Sequence, residues 1–141
     1  ASNAHPSFAE IIKQMSPLDA KILKSFHPEQ HFPLVDYVLK DYSNNSFKTL
    51  ISNVYIPPFS GVDLEQVCTS ISSLKRLGII EIVTDIFLAD ASLYEPFKET
   101  SDYQALSVYA ASFRDSKKLE TKNYLGYLTP LGENFYEVCV K

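Results

Sequence analysis

The sequence predicts a domain that is mainly α, closed near its C-terminal end by a small antiparallel β-hairpin. Three observations predict it. Apolar residues recur at helical spacing from Phe8 to Leu77. One stripe, Leu64, Val67, Ile71, Leu74 and Leu77, lies between a clear helix start and a clear helix stop. Two β-rich runs, 79–84 and 124–128, are followed by a final helix signal.

The elements follow in order. Phe8, Ile11, Ile12 and Met15 predict a first helix over 5–15. Ser16, Pro17 and Asp19 read as cap, first helical position and capping box of a second helix over 17–26. Pro28 ends it. A third helix is expected from Pro33, carrying Val35, Val38 and Leu39, and 43–46 is a turn. Segment 47–55 places Phe47, Leu50, Ile51 and Val54 at helical spacing. Its β-branched residues leave a strand open, and helix is the preferred reading. Asp63 and Gln66 form a D-x-x-Q box at the start of helix 63–77, Lys75 and Arg76 suit its negative end, and Gly78 is placed to stop it.

An insert over about 85–123 interrupts the hairpin. Within it, Ser101 is the expected cap of a helix over 102–114 built on Tyr103, Leu106, Ala110 and Phe113. Segment 114–123 is polar and reads as an exposed loop or strand tip. Thr129 caps the last helix with Pro130 at its first position, and Leu131, Phe135 and Val138 line its buried face.

Composition narrows the function. A chain of 141 residues that is 45% hydrophobic supports one domain with a real core. Residues 1–4 read as a cloning remnant, leaving 5–141 as a single domain that is expected to be part of a longer natural protein. A net charge of -4 argues against broad nucleic-acid binding, which rests on many Lys and Arg contacts to phosphate. Four glycines give little material for a phosphate-cradling loop. Cys68 and Cys139, without a C-x-x-C, suit a reducing cytoplasm. Neither a signal peptide nor a membrane-spanning run is present, so no membrane contact is expected from this segment.

The second half has an informative order. A capped helix ends in Leu77-Gly78-Ile79, a strand leaves, a strand returns, and Leu128-Thr129-Pro130-Leu131-Gly132 enters the last helix. This arrangement resembles a winged helix, here with extra N-terminal helices and an insert in the wing. Four stretches carry a closer likeness: 5–14, 16–23, 73–80 and 127–135. Together they resemble the Abi-alpha family, a bacterial domain linked by name to abortive infection, a form of phage defence. The resemblance implies cellular context and carries over no catalytic residues.

Chemical motifs are sparse. His27 and His31 have metal-ligand spacing, but Pro28 breaks the helix between them, so they read as loop histidines. Both cysteines lie near apolar stripes, without a base beside them, and read as buried, inert thiols. No metal, cofactor or enzymatic activity is expected. The polar face Gln66, Thr69, Ser70, Ser73, Lys75 and Arg76, with Lys117, Lys118 and Lys122 from the basic segment, supplies the candidate nucleic-acid or partner contacts. Only two residues of that helix face are cationic and Glu65 opposes them, so a solvated face is preferred over a DNA-reading one. An acidic stretch (Glu81, Asp85, Asp90, Glu95, Glu99, Asp102) precedes the basic strip of Arg114, Lys117, Lys118 and Lys122. A solvated loop is the default reading of this asymmetry, with intramolecular pairing, self-association or a partner surface as the alternatives. Tyr94, Phe97, Tyr103, Tyr109 and Phe113 cluster in the insert. Aromatics so placed are expected to pack against the core, and only their shared exposure would mark a protein interface. The expected function is a non-catalytic interaction module in phage defence, acting through protein contacts or self-association. The alternative is a DNA-binding winged-helix regulator using helix 63–77 and the basic wing.

Overall fold

The helix caps at Ser16, Asp63 and Thr129 and the stop at Gly78 act as the sequence predicts. The computed structural model describes residues 7–140, so His5 and the expected cloning remnant lie outside the described residues. Helix α1 covers Phe8–Gln14 and α2 covers Pro17–Ser25. Ser16 Oγ accepts the Asp19 N–H at 3.0 Å, and the Asp19 carboxylate accepts the Ser16 N–H at 3.1 Å. Helix α3, Leu64–Arg76, starts with the Asp63 N–H donating to Gln66 Oε1 at 3.1 Å. It stops at Gly78, whose φ of 79° is open to glycine at little cost. The Gly78 N–H bonds to Lys75 O and the Ile79 N–H to Leu74 O, the paired bonds of a Schellman end.

The fold class departs from the expectation. Of the described residues, 43% are helical and 26% lie in strands, with a curled four-stranded antiparallel sheet in place of a small hairpin. The expected helix from Pro33 is strand β1, Phe32–Asp41, and segment 47–55 is strand β2, Ser46–Val54. Strand β3 is Ile80–Val83 and β4 is Lys117–Leu128, in the order β2-β1-β4-β3. The mainly α, winged-helix-like reading is therefore corrected. The hairpin strands β3 and β4 exist, but they form one half of a sheet whose other half was read as helices.

The errors have physical causes. Strand β1 is central and covered on both faces, so its apolar residues do not alternate and Val35, Val38 and Leu39 imitate a helix. Pro33 is tolerated because the β1–β2 register begins at Val35; at Pro33 the strand pairs with β4 alone. In the β1–β2 pairing, register shifts on both sides of Tyr37 break the period-2 pattern of β2. Segment 114–123, read as loop or tip, mostly joins β4, where Asp41 to Asp36 of β1 pair with Lys117 to Lys122.

Two cores result. One side of the sheet packs Leu34, Tyr124, Ile80 and Leu128 against Ile22, Leu23, Val67, Ile71 and Leu74 of α2 and α3, with Phe8 and Phe135 edge to face at 5.2 Å. The other packs Val35, Tyr37, Leu39 and Leu119 against Tyr94, Phe97 and Ala110 of the insert. Helix α5, Pro130–Phe135, is capped by Thr129, whose Oγ1 accepts the Gly132 N–H at 2.9 Å. It widens into a π-turn at Tyr136–Val140. That change of pitch turns Val138 and Cys139 outward, although both were expected near the buried stripe.

The two junctions that carried the resemblance are one joint. The Thr129 hydroxyl donates to Gly78 O at 2.5 Å, and the Thr129 N–H donates to Ile79 O at 3.0 Å. Gly132 approaches the same carbonyl so closely that a Cβ there would stand 1.9 Å from Ile79 O. The helix stop and the helix start thus interlock through backbone.

Candidate interaction surface

Helix α4, Ser101–Ala111, is the main element of the insert. Its cap is Thr100 and not the expected Ser101: Thr100 Oγ1 accepts the Tyr103 N–H at 3.0 Å. The same oxygen meets Tyr37 Oη at 2.8 Å, and Tyr37 Oη lies 2.5 Å from Phe97 O as donor. Tyr37 belongs to β1, so the sheet itself fixes the start of α4. Nearby, Tyr94 Oη donates to Tyr124 O at 2.7 Å and accepts the Leu88 N–H at 2.9 Å. Burial pushes both phenol pKa values up, which keeps these hydroxyls in donor form.

Held this way, α4 buries Ala110 and half-buries Tyr103, Leu106 and Phe113 beside it. The opposite side presents Ser101, Gln104, Ala105, Val108, Tyr109 and Ser112, all exposed. Val108 is 74% exposed and Tyr109 45%. A one-sided surface helix ordinarily shows charge on its outer face. This face has none. Tyr94 and Phe97 are core residues, so the aromatic cluster of the insert splits: its first members anchor, and Tyr109 faces outward, edge to face with Phe113 at 5.2 Å.

The sequence-predicted contacts are dispersed. On α3, Ser70 is buried, and the groove lined by Gln66, Thr69, Ser70 and Ser73 is shared with Ser16–Asp19 at the start of α2. The Thr69 hydroxyl donates back to Glu65 O at 2.9 Å. Lys75 and Arg76 are exposed where α3 leads into β3, which pairs with the C-terminal end of β4. Lys117, Lys118 and Lys122 lie toward the other end of that 12-residue strand, which spans about 36 Å. The two basic groups therefore flank opposite ends of the sheet. Lys118 and Lys122 share a sheet face with Lys40, and the Lys117 ammonium sits 4.2 Å over the Phe113 ring. Among the described residues, neither the acidic stretch nor the basic strip forms an ion pair.

No cluster of three or more His, Cys, Asp or Glu residues able to hold a metal occurs among the described residues. His31 lies 5.1 Å from the Tyr127 ring. Cys68 is half-buried and its pKa is pushed up to about 11, first by burial and then by Asp102. A polar cluster at the β1–β4 pair joins Tyr124 Oη to Asp36 and to the Asn53 backbone N–H at 2.9 Å, and the Tyr124 pKa is raised by burial and by Asp36. Asn53 adopts a left-handed φ of 59°, so this cluster fixes a strained turn of backbone. None of the described helices is long and apolar enough to cross a membrane.

The residues missed by sequence reasoning are Ala105 and Val108. Their signal was present: Gln104, Ala105, Val108, Tyr109 and Ser112 share one helical face and carry no charge.

The sequence model of the family described as Abortive infection alpha matches residues 1–139. No curated protein matches at a significant level. An uncharacterized protein from the hydrocarbon-degrading marine bacterium Alcanivorax borkumensis SK2 has a similar structure, with TM-score 0.54 and 12% identity over 95% of this chain and 92% of that one. The likeness extends to the fold alone.

Proposed function

Since the chain belongs to the abortive infection alpha family, with a role related to abortive infection, we propose that it is a non-catalytic contact module of that response, working in the cytoplasm through protein contacts. One observation carries this reading. The outer face of α4 carries no fully exposed charge and sets Ala105, Val108 and Tyr109 in solvent, while its inner face is already packed. Exposed apolar surface of this kind is costly to leave in water unless a partner covers it. The clamp from Tyr37 and Thr100 supports the same reading, because a docking face works best on a rigid element.

The test uses the natural protein in cells challenged with phage. Val108→Asp places a charge at the centre of the face without touching the core. Loss of protection is expected, with protein level and melting temperature unchanged. Full protection by this variant would overturn the reading.

A further inference from the structure

The partner of α4 is specified by what lies at its two ends. This inference rests on the contact reading above and names its occupant. Lys98 and Glu99 stand exposed just before α4, and Arg114 and Asp115 stand exposed just after it. Among the fully exposed residues from 98 to 115, the order of charge is positive, negative, uncharged face, positive, negative. That order is complementary to itself when reversed.

We propose that a second copy of this chain lays its α4 antiparallel on this one, about a two-fold axis passing near Leu106 and Ser107. The symmetry sets Ala105 opposite the partner's Val108, Gln104 opposite the partner's Tyr109, and Ser101 opposite the partner's Ser112. Ala105 beside the partner's Val108, and Ser101 beside the partner's Ser112, keep the contact small enough for the helices to approach closely. Beyond the helix, Glu99 meets the partner's Arg114 and Lys98 meets the partner's Asp115. Each pair occurs twice, as a two-fold contact requires. A parallel arrangement would set like charge against like. Arg114 takes a left-handed φ of 56°, which turns the chain shortly after the end of α4.

The size of the face sets the strength. An 11-residue helix is about 16 Å long. Alone it buries less than the roughly 800 Å² per partner of a standard stable interface. The dimer is therefore expected to be concentration-dependent, dissociating at low micromolar protein and forming at hundreds of micromolar.

Sedimentation equilibrium across that range tests it, with three variants. Val108→Asp should weaken association by about a hundredfold, since each dimer gains two unpaired carboxylates at its centre. Val108 is largely exposed, so the variant keeps its fold, which circular dichroism verifies. Glu99→Arg and Arg114→Glu should each weaken association, and the chain carrying both should recover it, because the reversed pairs match again. A monomer at every concentration, a dimer indifferent to Val108→Asp, or a double variant no better than either single one would overturn the proposal. A chain that stays monomeric while Val108→Asp still abolishes phage protection removes the second copy and leaves the contact module standing.

Discussion

The two sides of the sheet are fastened by different means. On the α3–α5 side, the joint at Gly78, Ile79, Thr129 and Gly132 is made of backbone carbonyls, a cap hydroxyl and a glycine with no room for a side chain. On the α4 side, the insert is tied by the phenols of Tyr37 and Tyr94 reaching across a hydrophobic layer. The first fastening closes a core through backbone contacts. The second holds a helix firmly while leaving its outer face bare. Rigidity and exposure are separable properties here, and a docking element needs both.

The largest way to break that contrast is at the joint. Gly132→Ala drives a methyl into Ile79 O, and backbone on both sides leaves nothing to yield. A loss of several kcal/mol is expected, at the top of the range for single substitutions, and denaturant titration will show a severely destabilised or unfolded chain. Tyr37→Phe is intermediate. It removes the bonds to Phe97 O and Thr100 Oγ1, at about 1–3 kcal/mol. Hydrogen exchange should quicken at the start of α4 more than in α3, which separates local from global opening. Thiol labelling sharpens the contrast without disturbing either side. At pH 8, Cys139 should react at an ordinary rate, while Cys68, with its pKa about 11, should react far more slowly. The accompanying sign is that Cys68 favours the folded state less as pH rises from about 9 toward 11, because the unfolded thiol ionises first.

Legibility in the sequence followed locality. The caps at Ser16, Asp63 and Thr129 and the stop at Gly78 are decided within a few residues, and each was readable. The strands β1 and β2 were not, because two-sided burial and the register shifts beside Tyr37 erase alternation, and only the distant partner β4 makes them a sheet. The polar run before Asn123 gave no sign that β1 would pair with it. The candidate surface was half legible. Tyr109 stood out as an aromatic of the insert, but Val108 and Ala105 look like core residues until the helix is known to have a single packed side.

The bond from Thr129 to Gly78 joins residues 51 apart in the chain. Strand β4 must also reach back to β1, where the Tyr124 hydroxyl meets an Asp36 carboxylate 88 positions away. Helices α1 to α3 and the β1–β2 hairpin need only neighbours, so they can form early, whereas the sheet and the joint must wait for the chain to return. During synthesis the edge of β1 therefore stays unpaired until Lys117–Leu128 has emerged, and the arrival of β4 is the step that both completes the sheet and brings α4 to its place.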